Sequence, residues 1–316
     1  MLPAETLLIA GPTGVGKTDL SLRLAGVLGG EIVGADAFQI YRGLPILTAQ
    51  PSPFSRAEIP HHLIGSVDPS ESYDAGRYLR EALPIIRDIV ARGKRPIVVG
   101  GTGLYFKALL GGLNELPKGD STLRSELLAL SLPDLISRLQ SLDPDAVTTI
   151  DLANRRRVER ALEIVLMTGN PLAASRTGST APLEAVSSLL ITRDREELNE
   201  RIAGNVRTMF SLGVETEVAT LKEEALGSTA SMTLGLREIR SLLRSETSRE
   251  EAIATIIAAT RKYAKRQMTW FRNQHSFPEL NLSSVRDTEE SLAQALRLLK
   301  ISASPASDED LDLHAP

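Results

Sequence analysis

Eight consecutive residues carry the clearest chemical signal in the chain. Gly11-Pro12-Thr13-Gly14-Val15-Gly16-Lys17-Thr18 fits the pattern G-x-x-x-x-G-K-[ST] in full. Its glycines let successive backbone N–H groups point into one concavity, and a helix starting there adds the positive end of its dipole. Lys17 is placed to reach terminal phosphates, and the Thr18 hydroxyl is a hard oxygen ligand for Mg²⁺. Such a cradle binds a polyphosphate without saying which bond breaks. The ordinary expectation is ATP binding by an NTPase or a small-molecule kinase. Those enzymes end a second strand in an acid, whereas PIVVGG (96–101) runs into Gly101-Thr102-Gly103. The acid sits elsewhere, at Asp36, after the apolar run 31–35. Taken alone, Asp36 reads better as a helix or turn cap, and its position beside the cradle shifts that balance toward a role in the site.

These groups need elements to hold them. Residues 6–10 (TLLIA) form a short apolar run that suits a buried parallel strand, and residues 19–28 show helical spacing at Leu20, Leu24, Val27 and Leu28. Further strands are expected over 31–35, 61–67, 96–99 and 186–192, and helices over 73–92, 122–168, 194–225, 248–273 and 288–300. Alternating strands and helices predict an α/β fold: a P-loop core with a mostly parallel sheet flanked by helices, plus a helical insertion domain. The expected boundaries are 1–115 for the first part of the core and 116–183 for the insertion. The core then resumes over 184–300 with the C-terminal helices, and 301–316 forms a disordered acidic tail. In an open α/β sheet the strand C-terminal ends meet at one crevice, so Lys17, Thr18, Asp36 and Thr102 are expected to share a site.

Composition narrows the field. The 316 residues contain no cysteine, which excludes disulfides, thiolate metal sites and a cysteine nucleophile. His61 and His62 are adjacent, and neighbouring strand residues face opposite ways, so no metal pair is expected there. Lys and Arg number 36 against 40 Asp and Glu. The last sixteen residues hold four acids and no base, which leaves residues 1–300 with 36 of each sign. A neutral body argues against a general nucleic-acid coat but permits local basic stripes. No apolar run approaches a bilayer span, and the first residues lack a basic leader and run straight into the glycine loop. A cytoplasmic monomer with no membrane contact is expected.

Seven blocks, in order, carry a family resemblance. GPTGVGKT (11–18), ADAFQIYRGL (35–44), TAQP (48–51), PHHLI (60–64), GGTGLYFKAL (100–109), RRRVERALEI (155–164) and TRKYAKRQMTWFR (260–272) together resemble the tRNA dimethylallyltransferases, also called tRNA isopentenyltransferases. The resemblance implies transfer of a dimethylallyl group from dimethylallyl diphosphate to the exocyclic N6 amine of the adenosine 3′ of the anticodon, releasing diphosphate. It implies Mg²⁺ as cofactor and a tRNA anticodon stem-loop as partner. By position in the matching blocks, Asp36 is the base, Gln39 hydrogen-bonds the target adenine, and Thr102 contacts the diphosphate and the target nucleotide. Lys17 and the cradle stabilise the departing diphosphate. Asp36, Ala37, Phe38 and Gln39 are expected against tRNA, as are Thr102, Arg124, and the segment Arg156, Arg157, Val158, Glu159 and Arg160.

Plainer readings stand beside these. Arg124 is also what an exposed helix charge looks like. Arg156, Arg157 and Arg160 also describe a solvated face, with Glu163 pairing to Arg160. Trp270, the sole tryptophan, reads as a core residue or as a stacking platform for a base. Arg261, Lys262, Lys265, Arg266 and Arg272 form a basic run with no acid among them. The sequence departs from the family pattern at Ala37 (commonly Ser), Gln50 (frequently Lys), Gly65 (frequently Asp) and Asn205 (typically Arg), with Arg201 retained and Arg207 as a candidate substitute. A kinase or NTPase, or a non-catalytic RNA-binding relative, remain the alternatives. The first lacks its acid before Gly100, and the second has no need of Asp36 and Lys17.

Overall fold

The computed structural model describes residues 1–111, 120–174, 186–222 and 226–301. The acidic tail from residue 302 onward, most of the loose Ser/Thr/Ala-rich stretch, and the expected domain boundaries at 116 and 183 lie outside them.

The chain divides into two compact units, Met1–Leu110 with Leu183–Pro316, and Gly111–Pro182. The first is built on six strands: β1 (Leu7–Ala10), β2 (Gly30–Gly34), β3 (His61–His62), β4 (Arg95–Gly100), β5 (Ser187–Thr192) and β6 (Glu279–Asn281). Their order is β3-β2-β4-β1-β5-β6, and every described pairing is parallel. All four residues of β1 are at most 1% exposed, so both faces of the sheet centre are covered, which is what a continuous apolar run dictates. The covering elements include α1 (Lys17–Leu28), α3 (Ala75–Ala91), α9 (Arg195–Ser211), α12 (Arg249–Gln274) and α13 (Thr288–Leu298). On α3 the buried residues Tyr78, Ala82, Ile86 and Ile89 recur at helical spacing. A full capping box between Ser248 and Glu251 starts α12.

Three further elements of this unit are short or flank turns: α2 (Pro53–Glu58), α10 (Val214–Ala219) and α11 (Leu236–Leu243). Helix α4 (Gly103–Gly111) begins directly after the Gly101-Thr102 turn. The strand expected over 61–67 stops at His62 because Leu63 (φ 57°) and Gly65 (φ 59°) turn the chain through left-handed backbone. The helix expected over 194–225 breaks at Gly213 (φ 85°), which separates α9 from α10.

The second unit is helical, with α5 (Ser121–Leu128), α6 (Leu132–Leu142), α7 (Ala146–Thr149) and α8 (Arg155–Thr168). Its core joins Leu135 and Leu139 of α6 to Val158, Ala161, Leu162 and Val165 of α8. Asn154 caps α8 by accepting from Arg157 N, and Gly169 (φ 65°) ends it.

The sheet's tightest approach is at the end of β4. A Cβ on Gly100 would lie 2.0 Å from the Ala35 carbonyl oxygen, so β2 and β4 can converge here only around a glycine. Gly100→Ala is expected to cost about 3 kcal/mol through forced separation of the two strands. Denaturant unfolding checks this, and a variant within about 0.5 kcal/mol of the parent contradicts it.

Candidate active site

The C-terminal ends of β1, β2, β4 and β5 deliver four loops to one edge of the parallel sheet. After β1, residues 11–18 wrap into the cradle. Gly11, Gly14 and Gly16 take φ of 156°, 80° and 106°, and the last two are left-handed conformations that side chains resist. Gly14 is also closely packed, since a Cβ there would meet Ile202 of α9 at 2.9 Å. Lys17 Nζ donates to Pro12 O at 2.8 Å, folding the side chain over the loop. Burial pulls the Lys17 amine down to about 8, and the negative charge of Asp36 opposes that fall. The lysine and the aspartate therefore share one electrostatic environment.

Asp36 follows β2. Its Oδ1 accepts from Phe38 N at 2.9 Å and Gln39 N at 3.2 Å, which locks the carboxylate while leaving Oδ2 outside these two bonds. The cap reading of Asp36 is thus correct as far as it goes, and the cap is what orients the group. Thr102, after β4, is tied to the same loop twice. Its amide donates to Ala35 O at 3.1 Å, and its Oγ1 accepts from Ala37 N at 2.9 Å. Lys17, Thr18, Asp36 and Thr102 are therefore carried on neighbouring strand ends and cross-bonded loops. Ala37 enters through its backbone N–H, and Phe38 stands with its ring centroid 6.1 Å from that of Tyr263.

Gln39 is more committed than its sequence position suggests. Its Nε2 donates to Thr48 O at 3.1 Å and Ala49 O at 2.8 Å, so the amide's oxygen is the group it can offer a base. Gln50 Nε2 donates to Gln39 O and Tyr41 O at 2.9 and 2.8 Å, bracing the same loop. A Cβ on Gly65 would sit 3.0 Å from Gln50 Oε1, so two departures from the family pattern are neighbours. An amide beside an empty position stands where an ammonium and a carboxylate are frequent.

Several contributors are not marked by sequence spacing. Gln267 of α12 is buried, accepts from Thr13 N at 2.9 Å and donates to Gly101 O at 3.0 Å, joining the cradle to the loop that carries Thr102. Burial first, then the charge of Asp36, push the hydroxyls of Tyr105 and Tyr263 upward, so both stay protonated beside the carboxylate. On the other side of the cradle, Arg201 Nε donates to Gly14 O at 3.1 Å and Arg193 Nε to Val15 O at 3.2 Å. Their Nη2 atoms lie 3.9 and 3.6 Å from where a Gly16 Cβ would be. Arg207 is exposed, so the second guanidinium at the loop is supplied by Arg193. Asn205 keeps its amide near Gly14, with Nδ2 3.8 Å from the Cβ position. Arg193 had one available signal: it follows β5 directly, at the same sheet edge as Asp36 and Thr102.

Trp270 is half-buried and serves as packing on one side. A Gly103 Cβ would fall 2.0 Å from its ring, and Phe271 meets it edge-on at 5.3 Å. It also borders a surface pocket of about 310 Å³ with Lys265, Arg266, Thr269, Asn273 and Gln274. His61 Nδ1 bonds Ile59 O and His62 Nε2 meets Glu31 at 2.8 Å. Among the described residues no group of three or more His, Cys, Asp or Glu side chains is arranged for a metal.

In the helical unit the expected stripe divides. Arg156 and Arg157 are exposed. Val158 is fully buried in the core, so its expected contact with tRNA is corrected: helical spacing turns it inward, between the arginines. Glu159 pairs with Arg155 at 2.6 Å. Arg160 and Arg124 both meet Glu163, which is buried, with Arg124 Nε at 2.8 Å from Oε1. The pairing of Arg160 with Glu163 is the plainer of its two readings, and Arg124 is exposed and ion-paired at once.

A family model described as IPP transferase matches residues 39–274. A tRNA dimethylallyltransferase of Akkermansia muciniphila is 43% identical over 291 residues, covering 92% of this chain and 98% of that protein. One from a Caulobacter strain is 42% identical, covering 87% and 91%. Among solved structures, the full-length tRNA isopentenylpyrophosphate transferase of Bacillus halodurans superposes with a TM-score of 0.69 at 33% identity, over 94% of this chain and 97% of that one. A eukaryotic dimethylallyltransferase crystallised acting on tRNA gives a TM-score of 0.78 at 28% identity, over 92% and 76%.

The lowered Lys17 amine makes anion binding depend on pH. Below about 8 the amine is charged, and above it an anion must recruit a proton on binding. Affinity for inorganic pyrophosphate is expected to fall as pH rises from 7.5 to 9, relative to Lys17→Arg, whose guanidinium stays charged. Calorimetric titration of both proteins checks this and cancels the ligand's own ionisation. Parallel pH slopes contradict it.

Proposed function

The chain belongs to the IPP transferase family, that of the tRNA dimethylallyltransferases, and from this premise we propose how its residues carry out the reaction. The protein transfers a dimethylallyl group to tRNA. The donor in this reading is dimethylallyl diphosphate, and the acceptor is N6 of the adenosine 3′ of the anticodon in the tRNA anticodon stem-loop. We take a monomer as the working unit. Among the described residues no helix is long and apolar enough to cross a membrane, and we take the site of action to be the cytoplasm.

A diphosphate leaving group presents the same oxygens as the end of a nucleotide triphosphate, so the cradle needs no change of design. The allylic C–O bond breaks, its electron pair leaves on diphosphate, and the N6 lone pair forms the new C–N bond. The backbone amides of Gly14, Gly16, Lys17 and Thr18, with the Lys17 side chain, Arg193 and Arg201, receive the charge that develops on diphosphate. The adenine amine is a weak nucleophile because its lone pair is delocalised into the ring. Asp36 accepts the amine proton as bonding develops, held in place by the amides of Phe38 and Gln39. Gln39 offers its side-chain oxygen to the base, and Thr102 holds the Asp36 loop by accepting from Ala37 N. The adenine leaves its stack to reach this carboxylate, since chemistry on a base requires access. Arg156, Arg157 and Arg124 offer cationic surface to tRNA phosphates.

Mg²⁺ fits the donors present. Thr18 offers a hard hydroxyl oxygen in the loop, and among the described residues no cluster of carboxylates forms a closed cage. That matches an ion shared with substrate phosphates. Thr18 would hold the ion, which would supply positive charge to neutralise the phosphates.

The observation that carries the proposal is the convergence at one sheet edge of the loops that carry Lys17, Asp36 and Thr102, cross-bonded through Thr102 and Gln267. It favours alkyl transfer to an amine over phosphoryl transfer, because the acid lies on the β2 loop and none ends β4. Purified protein, dimethylallyl diphosphate, Mg²⁺ and unmodified tRNA should yield a prenylated nucleoside by mass after digestion. Asp36→Asn should lower the rate about 10²- to 10⁴-fold while retaining tRNA binding. ATP hydrolysis without prenylation, or an undiminished Asp36→Asn enzyme, contradicts the assignment.

A further inference from the structure

Gln39 is fixed by a turn that is itself fixed from far away in the chain. Residues 44–50 close a helical turn through Thr48 N to Leu44 O (3.1 Å), Ala49 N to Ile46 O (3.1 Å) and Gln50 N to Pro45 O (2.9 Å). Like any helix start, this turn leaves its first amides without internal partners. No nearby side chain caps them. Glu217 of α10 does so, accepting from Ile46 N with Oε2 and from Leu47 N with Oε1, both at 2.8 Å and across about 170 residues of sequence. The opposite end of the turn presents the carbonyls of Thr48 and Ala49, which hold the Gln39 side-chain amide. Leu47 is buried beneath, and Ala49 takes a left-handed φ of 51° that aims its carbonyl.

We infer that Glu217 is a positioning residue for the tRNA substrate, acting through the turn 44–50 to set the Gln39 amide that meets the target base. This rests on the reading of Gln39 given above. Glu217 touches no reacting atom. Both oxygens of its carboxylate are used, each on a different amide, which defines the turn's orientation and not merely its attachment. Burial raises the Glu217 carboxyl more than the two amides lower it.

Glu217→Gln keeps the shape and one acceptor oxygen but presents an NH₂ to the other amide. Steady-state kinetics on the full chain would compare Glu217→Gln, Gln39→Ala and the double variant, with dimethylallyl diphosphate and tRNA varied separately. Thermal melting confirms that each is folded. For Glu217→Gln the ratio kcat/KM for tRNA is expected to fall roughly tenfold, with KM for dimethylallyl diphosphate within about twofold of the parent. The double variant should be no worse than Gln39→Ala, because both changes break the same chain of contacts. Should Gln39→Ala be impaired while Glu217→Gln is normal, or the two losses multiply, the inference fails and the Gln39 reading survives. A normal Gln39→Ala overturns both. A Glu217→Gln enzyme that loses affinity for both substrates alike also overturns it, since that marks a general structural role. If Glu217→Gln does not fold, Glu217→Asp, which keeps the charge and shortens the reach, takes its place in the same cycle, with the same outcomes.

Discussion

Three loops that carry the chemistry stay in register because two glycines admit close neighbours, a backbone carbonyl at one and a side-chain amide at the other. The end of β4 lies against Ala35, where a Cβ would be 2.0 Å from a carbonyl oxygen, and against Gln267, where a Gly101 Cβ would be 2.2 Å from Nε2. That proximity lets Thr102 bond the Asp36 loop through both its amide and its hydroxyl. It also lets Gln267 bond the cradle with one end of its amide and Gly101 with the other. A parallel sheet brings strand ends together in general. Here that arrangement is tightened into a braced frame in which a carboxylate and a buried ammonium face common ground.

The frame explains why each charged group keeps a useful state. Lys17 is buried deeply enough to lose part of its basicity, and Asp36 restores some of it. Two tyrosine hydroxyls near the carboxylate are pushed away from ionising and so stay donors. Arg193 and Arg201 grip the outside of the cradle through Val15 and Gly14 carbonyls, which orients the cations without occupying the amides. The result is an anion site whose positive charge is distributed over fixed groups, the condition under which departure of a diphosphate is eased with little reorganisation.

Much of this was legible in the residues. The cradle is a local pattern whose strand–loop–helix setting follows from apolar runs on either side, and β1, β4, β5, α1, α3 and α12 lie close to where periodicity puts them. Asp36 and Thr102 could be joined to Lys17 by topology alone, since both follow buried strands. What periodicity could not supply was pairing across long separations. Nothing near Gln39 indicates that its amide is committed to Thr48 and Ala49, and nothing near Ile46 points to Glu217. Arg193 is invisible until β5 is known to end beside the cradle. In the helical unit the sequence left two readings of RRVER open, and the structure turns Val158 into the core and pairs Arg160 with a buried Glu163, the second of them. The short β6 has a single buried residue, too weak a pattern to register as a strand.

The central claim is that a diphosphate on the cradle and an adenine amine at Asp36 meet in one place. A crystal structure with an unreactive allylic thiolodiphosphate and an anticodon stem-loop tests it most directly. The account predicts the diphosphate oxygens on the amides of Gly14, Gly16, Lys17 and Thr18 and on the Lys17 amine, with the adenine N6 within hydrogen-bond distance of the Asp36 carboxylate. A diphosphate bound elsewhere, or an adenine amine whose nearest acceptor is a group other than Asp36, would contradict it.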